Sequence, residues 1–469
     1  MPHIHLPHIH LRHVHTKRHD VDMTEGNVAR HLVHFALPLL AGNIFQQLYN
    51  MVDTWVVGNY VSNEAFSAVG TVGPIINMLI GFFMGLASGA GVVISQYYGA
   101  RQYDKVRETV HTSVVMTLLL SVTFTLLGIT MTPAMLHFMK MPADVFPQAR
   151  TYLTIYFGGI TGLLLYNMCS GILRAVGDSK RPFYFLVVSA LLNIVLDLVF
   201  VLGLGMGVEG VAYATILSQG VSAVLVILTL LRTQSSVQLK VSQLRLHGVI
   251  VSKIVRVGIP AALQMAITSF SNVFVQSYIN FFGADCMSGW TAYAKIDQLM
   301  ILPMQSLSLS ATTFVGQNLG INQVDRAKKG ARTALLLSFG ITAALLCFII
   351  PAAPYLVWFF NKKAEVITFG SLFLRTLSPF YLLCCINQIY AGALRGSGNS
   401  RAPMLIMLFS FVFFRQCYLF VMANFISNTI LPIAMGYPAG WFVCSTLTLI
   451  YYRRADLSKN RLVDEPAKP

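Results

Sequence analysis

The stretch SQYYGARQYDKVRE, residues 95–108, decides the reading of this chain, because it returns as GQNLGINQVDRAKK at residues 316–329. In that register Gln96 matches Gln317 and Gly99 matches Gly320. Working outward, GILRAVGDSKRP from Gly171 pairs with GALRGSGNSRAP from Gly392 at the same spacing, sharing Leu-Arg, two glycines and the proline. Further out, Pro38 in ALPLL pairs with Pro260 in GIPAA, a single position out of that spacing. Agreement at three places in nearly one register marks a duplication. The chain reads as two like halves.

The material between these markers is apolar. Of 469 residues 55% are hydrophobic and 11% charged, with a mean hydropathy of +0.64. A soluble domain carries about 25% charged residues, so most of this chain faces lipid or other apolar helices. About 20 apolar residues cross the hydrocarbon as a helix, and twelve such runs are legible. They lie near 31–58, 66–97, 109–135, 147–173, 183–205, 208–231, 255–282, 288–316, 331–359, 366–393, 403–426 and 429–452. The fold class is therefore an all-α polytopic membrane protein with two pseudo-symmetric six-helix lobes. Six spans per half is an even number, so both halves enter from the same side. Parallel repeats of this kind place substrate at or between the halves of a transporter. The domains read as a His-rich tail (1–25), a first lobe (26–231), a linker (232–252), a second lobe (253–452) and a C-terminal tail (453–469). The start of the His-rich tail lacks an apolar core long enough for a cleavable signal peptide.

Charge orients the spans. If both ends lie in the cytoplasm, the cytoplasmic segments hold 26 of the 33 Lys and Arg residues and the opposite loops hold five, Lys140, Arg150, Lys362, Lys363 and Arg375. Cytoplasmic loops carry such an excess, so both termini are expected inside, on the inner membrane of a bacterium. The net charge of +15 then belongs to loops held against an anionic leaflet, and no nucleic-acid partner is needed. The seven cysteines lack metal or redox spacing and read as small buried hydrophobes. No phosphate-cradling GxxxxGK[ST] is present, so ATP is not hydrolysed, and no hydrolytic constellation points to an enzyme. The segment HIHLPHIHLRHVH (3–15) can hold a transition metal or be a disordered tail, and the second reading is preferred; no metal site is assigned.

Ionisable residues within spans are the first functional candidates, because burying charge in hydrocarbon is costly. Asp53 lies mid-way along span one. Asp197 in span five stands four residues after Asn193, on the same helical face, and Thr215 in span six adds a hydroxyl. Two carboxylates, an amide and a hydroxyl suit sodium; alternatively the pair shares a proton, or each acid caps a neighbouring helix. Proline frees a backbone carbonyl and permits a kink, so Pro38 can couple Asp53 to bending of span one. The second half holds Lys295 and Asp297 in span eight, which diverge on one helix, and Arg415 in span eleven. They make either a structural charge pair or a cationic patch for an anionic substrate. Gln46, Asn50, Asn77, Asn167, Gln264, Asn272 and Gln276 can line a pathway or bridge helices. The 31 Phe, 19 Tyr and 20 Met suit an adaptable cavity and equally suit lipid contact.

Several motifs in order carry a family resemblance: LPLLAGNIFQQLYNMVDTWVVGN (37–59), ISQYYGA (94–100), LRAVGDSKRP (173–182), LNIVLDLVFVLGLGMGVEGVAYATILSQG (192–220) and ALRGSGNSRAP (393–403). Over about residues 25–455 the chain resembles a MATE (multidrug and toxic compound extrusion) transporter of the MOP flippase superfamily. It is nearer the DinF/MepA-like bacterial branches than the NorM branch. The resemblance implies two lobes in an outward V and a monomer that needs no cofactor beyond its coupling ion. It implies export of amphipathic, often cationic compounds against inward flow of H+ or Na+. Asp53, Asn193, Asp197 and Thr215 match the family's N-lobe cation site, and Pro38 its span-one proline. Where NorM-type members carry acids in spans seven and ten, this chain has Thr268 and Cys384. A second sodium site of that kind is therefore not expected. The alternative cargo is a lipid-linked or anionic metabolite.

Overall fold

In hydrocarbon a backbone must satisfy its own hydrogen bonds, which leaves helices as the way for these apolar runs to cross. The computed structural model describes residues 19–138 and 141–464, and there the runs are helices. Eleven helices are long and apolar enough to span, and a bent pair makes the twelfth. In chain order spans one to three are Val28–Tyr60, Asn63–Gly99 and Tyr103–Phe138. Span four is Phe146–Gly158 plus Ile160–Ala175, bent by 49°. Spans five and six are Lys180–Gly203 and Val208–Arg232. The second half follows with Gly248–Asn280, Ala284–Gly320, Val324–Phe360, Ala364–Gly396, Arg401–Ile426 and Ile430–Arg454.

Most helices run a turn beyond the apolar runs, because the flanking polar residues continue the backbone pattern into the interface. Span seven accordingly takes up 248–252, the end of the expected linker. The bend in span four falls at Gly158-Gly159, where the helix has least intrinsic support. A Cβ on Gly159 would lie 2.5 Å from Ile216 Cβ, so the bend also lets spans four and six touch. Spans five and eleven both finish in a π-helical turn, Val199–Gly203 and Met422–Ile426.

Burial identifies the central helices. In their apolar windows spans eight, two and twelve are 67%, 56% and 56% buried, against 22% for span three. The outer helices instead present large side chains such as Leu126, Leu336 and Phe348, the belt expected against lipid. Spans two and eight cross at the end that carries both described tail segments. A Cβ on Gly99 would lie 1.8 Å from the Gln317 carbonyl oxygen, and one on Gly320 2.2 Å from that of Gln96. Only glycine allows this approach, and the two glycines are the repeat partners that opened the sequence reading.

Span one belongs to both lobes. Its first turns (Val28, Leu32, Phe35, Ala36) pack in the core of the second lobe, whereas Val56 and Val57 pack in the first. Pro38 sits where the helix passes from one core to the other. Lacking an N–H, it leaves the carbonyl of His34 without its helical partner.

Candidate functional site

The N-lobe candidates come together. Span one delivers Asp53, span five Asn193 and Asp197 from consecutive turns of one face, and span six Thr215 and Ser218. All are buried, Asp53 with 7% of its surface exposed and Asp197 with none. Asn193 Nδ2 donates to Asp53 Oδ1, and Thr215 Oγ1 donates to Asp53 Oδ2 at 3.5 Å and to the Val211 carbonyl at 3.0 Å. Ser218 Oγ donates to the Ala214 carbonyl at 2.5 Å and lies 3.4 Å from Asn193 Oδ1. The carboxyls of Asp53 and Asp197 are within hydrogen-bond reach of each other. Neither Asp197 oxygen receives a hydrogen bond from any other described side chain or backbone N–H. One carboxylate thus has its donors and the other has only its neighbour.

Sequence reasoning missed the aromatic wall of this site. Tyr49 of span one and Tyr152 of span four are buried near the acids, and Tyr156, stacked on Tyr152 with ring centroids 6.3 Å apart, is buried behind them. The i, i+4 spacing of Tyr152 and Tyr156 was the available signal, but it looks the same as an interfacial aromatic pair.

In the second lobe the candidates separate. Asp297 Oδ1 accepts hydrogen bonds from Tyr381 and, at 3.5 Å, from Tyr293, and forms no ion pair with Lys295, whose side chain is exposed on another face of span eight. Arg415 is 1% exposed. It donates to the carbonyls of Gly436 (3.0 Å) and Tyr437 (3.2 Å), to Ser271 Oγ (3.1 Å) and to Asn272 Oδ1 (3.4 Å). Its guanidinium lies 4.4 Å from the Phe411 ring centroid and 5.0 Å from that of Tyr437. The π-helical stretch Leu408–Phe414 just before it turns this side chain inward. Asp297 and Arg415 line one cavity of about 60 Å³ together with Thr268, Asn272 and Cys384, room for roughly two waters.

The remaining candidates scatter. Gln264 Nε2 holds the Ser400 carbonyl (3.1 Å), and Asn167 Nδ2 the Leu163 carbonyl of its own helix (3.0 Å). Asn50 and Asn77 are exposed, and Gln276 bonds to Asn280 at an exposed position. The His-rich segment 3–15 lies outside the described residues.

Comparison with known proteins bears on the family and the fold. Residues 38–199 and 260–416 match the MatE family model. The chain is 28% identical to the probable multidrug resistance protein YoeA of Bacillus subtilis (strain 168), across 91% of this chain and 94% of that one. It is 27% identical to the probable multidrug resistance protein NorM of Thermotoga maritima, across 93% and 96%. Among solved structures it is similar to an outward-facing multidrug resistance MATE transporter of the MOP superfamily. That match has a TM-score of 0.88 and 25% identity, and covers 93% of this chain and 97% of the other.

Proposed function

Since this chain belongs to the MATE family of multidrug efflux transporters, and so is a transporter and not an enzyme, we propose that it exports amphipathic, often cationic small molecules in exchange for protons held at Asp53 and Asp197. The observation that carries the coupling is the contact between two buried carboxyls, one of them without donors. Two unit charges about 4 Å apart repel by about 4 kcal/mol even at an effective dielectric of about 20. The site is therefore satisfied by one added positive charge and strained without it. Asn193 presents its N–H₂ to Asp53. That suits a carboxylate pair sharing a proton better than sodium, which needs oxygen lone pairs turned inward.

Coupling to movement runs through span one. A proton between Asp53 and Asp197 draws the second half of span one toward spans five and six, while its first turns stay in the other lobe's core, and the strain concentrates at Pro38. The proton shifts the equilibrium only to the extent that it binds one arrangement better than the other. By the charge bias, both termini lie in the cytoplasm and the membrane is a bacterial inner membrane, where the protein acts as a monomer. A second cargo reading, a lipid-linked or anionic metabolite, is favoured by the exposed Lys295. Arg415 lends it little, because its donors are held by carbonyls and side chains of its own lobe.

The test is dye efflux from proteoliposomes under imposed gradients. A proton gradient drives efflux, a sodium gradient does not, and Asp53→Asn abolishes the gradient dependence while the folded protein is recovered. Efflux driven by sodium alone overturns the proton assignment, and unaltered coupling in Asp53→Asn overturns the site.

A further inference from the structure

The hydrogen bonds that join the lobes at the crossing of spans two and eight form a two-fold pattern. Gln96 of the first lobe donates from Nε2 to the Gly396 carbonyl of the second at 2.9 Å, and its Oε1 accepts the backbone N–H of Leu462 at 2.7 Å. Gln317 of the second lobe donates to the Ala175 carbonyl of the first at 3.2 Å, and its Oε1 accepts the backbone N–H of Met23 at 2.8 Å. Gln96 and Gln317 are repeat partners, and Ala175 and Gly396 are partners in the same register. Both glutamines are fully buried. Each uses one amide to hold the opposite lobe and a tail at once.

The tails dock alike as well. Val21 donates to the Val176 carbonyl at 2.8 Å beside Gly177, and Asn460 lies against Gly398. These two glycines are again repeat partners, with φ of +86° and +93°. A Cβ there would lie 2.5 Å from the Val21 oxygen and 2.3 Å from the Asn460 oxygen. Met23 and Leu462 are 1% and 2% exposed. Arginine side chains reinforce both docks: Arg326 bonds to the Met23 and Gly26 carbonyls, and Arg461 to those of Leu319 and Gly320.

Duplication does not account for this symmetry. The repeat counterpart of residues 21–23 falls in the linker, and the linker packs on span three instead, with Lys240 N donating to His111 Nε2 at 3.0 Å. The second strap comes from beyond span twelve, with an unrelated sequence. Two unrelated segments have converged on equivalent partners, which speaks for a requirement of the mechanism.

We propose that Gln96 and Gln317 are paired latches holding this end of the transporter shut, and that segments 20–24 and 459–463 are the straps they fasten. An alternating-access cycle has to part spans two and eight here, and both latches and both straps release when it does. The bonds suit repeated breaking: they are neutral amide bonds, each shifting an equilibrium by roughly fivefold. Gln96 and Gln317 act on the conformational equilibrium as positioning residues, without touching substrate.

The experiment places a reporter at the seam. Ser95→Cys is introduced with Cys347→Ser and Cys417→Ser, because Ser95 is 1% exposed at the crossing and those two native cysteines are exposed. A membrane-impermeant maleimide is applied to inside-out vesicles without substrate or gradient. Gln96→Ala and Gln317→Ala each raise the labelling rate at least fivefold. Removing residues 458–469 raises it as well. Gln96→Glu, which keeps the acceptor for Leu462 and loses the donor to Gly396, gives a smaller rise. Unchanged labelling in the glutamine variants overturns the latch, including the case where only the thermal midpoint falls. Unchanged labelling after the tail deletion alone overturns the strap. Because labelling needs neither cargo nor coupling ion, its outcome is separate from that of the efflux assay.

Discussion

Gly99→Ala tests the crossing itself. The new Cβ would stand 1.8 Å from the Gln317 carbonyl oxygen and 2.6 Å from its carbonyl carbon. These are backbone atoms in the buried last turn of span eight, so no side-chain rotation relieves the overlap. Contacts below 3.0 Å essentially do not occur for Cβ, and spans two and eight have to separate by more than an ångström. The inter-lobe bonds Gln96 to Gly396 and Gln317 to Ala175, at 2.9 and 3.2 Å, stretch past useful length. At about 1 kcal/mol net for each bond, with lost packing added, the closed seam loses at least about 2 kcal/mol. That is a shift of roughly thirtyfold toward the parted arrangement. The assay is distance measurement between spin labels on the exposed residues Tyr103 and Lys328, which flank the seam on spans three and nine. The expected result is a longer distance, with slower efflux of a fluorescent dye. Gly320→Ala, with its contact of 2.2 Å, gives the same result from the other lobe. An unchanged distance and full transport in both variants would show that the seam tolerates a methyl group, and the argument from close approach would be refuted.

Three further outcomes are expected. Asp197→Asn removes one of the two charges in contact, so efflux ceases to respond to a proton gradient while substrate binding, read by fluorescence quenching, persists; retained coupling places the ion elsewhere. Arg415→Met removes the bonds from the guanidinium to the Gly436 and Tyr437 carbonyls and to Ser271, lowering stability by on the order of 3 kcal/mol, read as a lower unfolding midpoint in detergent. A neutral result would mean that water replaces the guanidinium. Gly159→Ala presses on Ile216 and costs about 1–3 kcal/mol by overpacking, and adding Ile216→Ala, which removes the carbons 2.7 and 2.8 Å away, restores part of the midpoint relative to Ile216→Ala alone; absence of any such coupling contradicts the contact.

Much of this protein is legible locally. A run of about 20 apolar residues specifies a span whatever surrounds it, and so the twelve crossings and the duplicated halves can be read from the chain. The bend at Gly158-Gly159 is not legible in the same way, because two glycines permit a kink without requiring it; the packing of Ile216 requires it. The acids Asp53 and Asp197 stand out because ionisable groups are rare within spans. Their contact, and the absence of donors on Asp197, depend on how spans one, five and six lean together. For Arg415 the sequence supports two opposite roles, and only the carbonyls of Gly436 and Tyr437, on the following span, separate them.

The opening stretch shows the division most clearly. Gln96 and Gln317 are visible as matched letters in a repeat, and the sequence by itself determined that they occupy equivalent places in two halves. Their partners lie far off in the chain, in the other lobe and the two tails. A hydrogen bond is set by ångström-scale position and direction, and no local pattern encodes a contact across that separation. The tertiary structure alone decided that the repeated glutamines face each other's lobe and that segments 20–24 and 459–463 return to meet them.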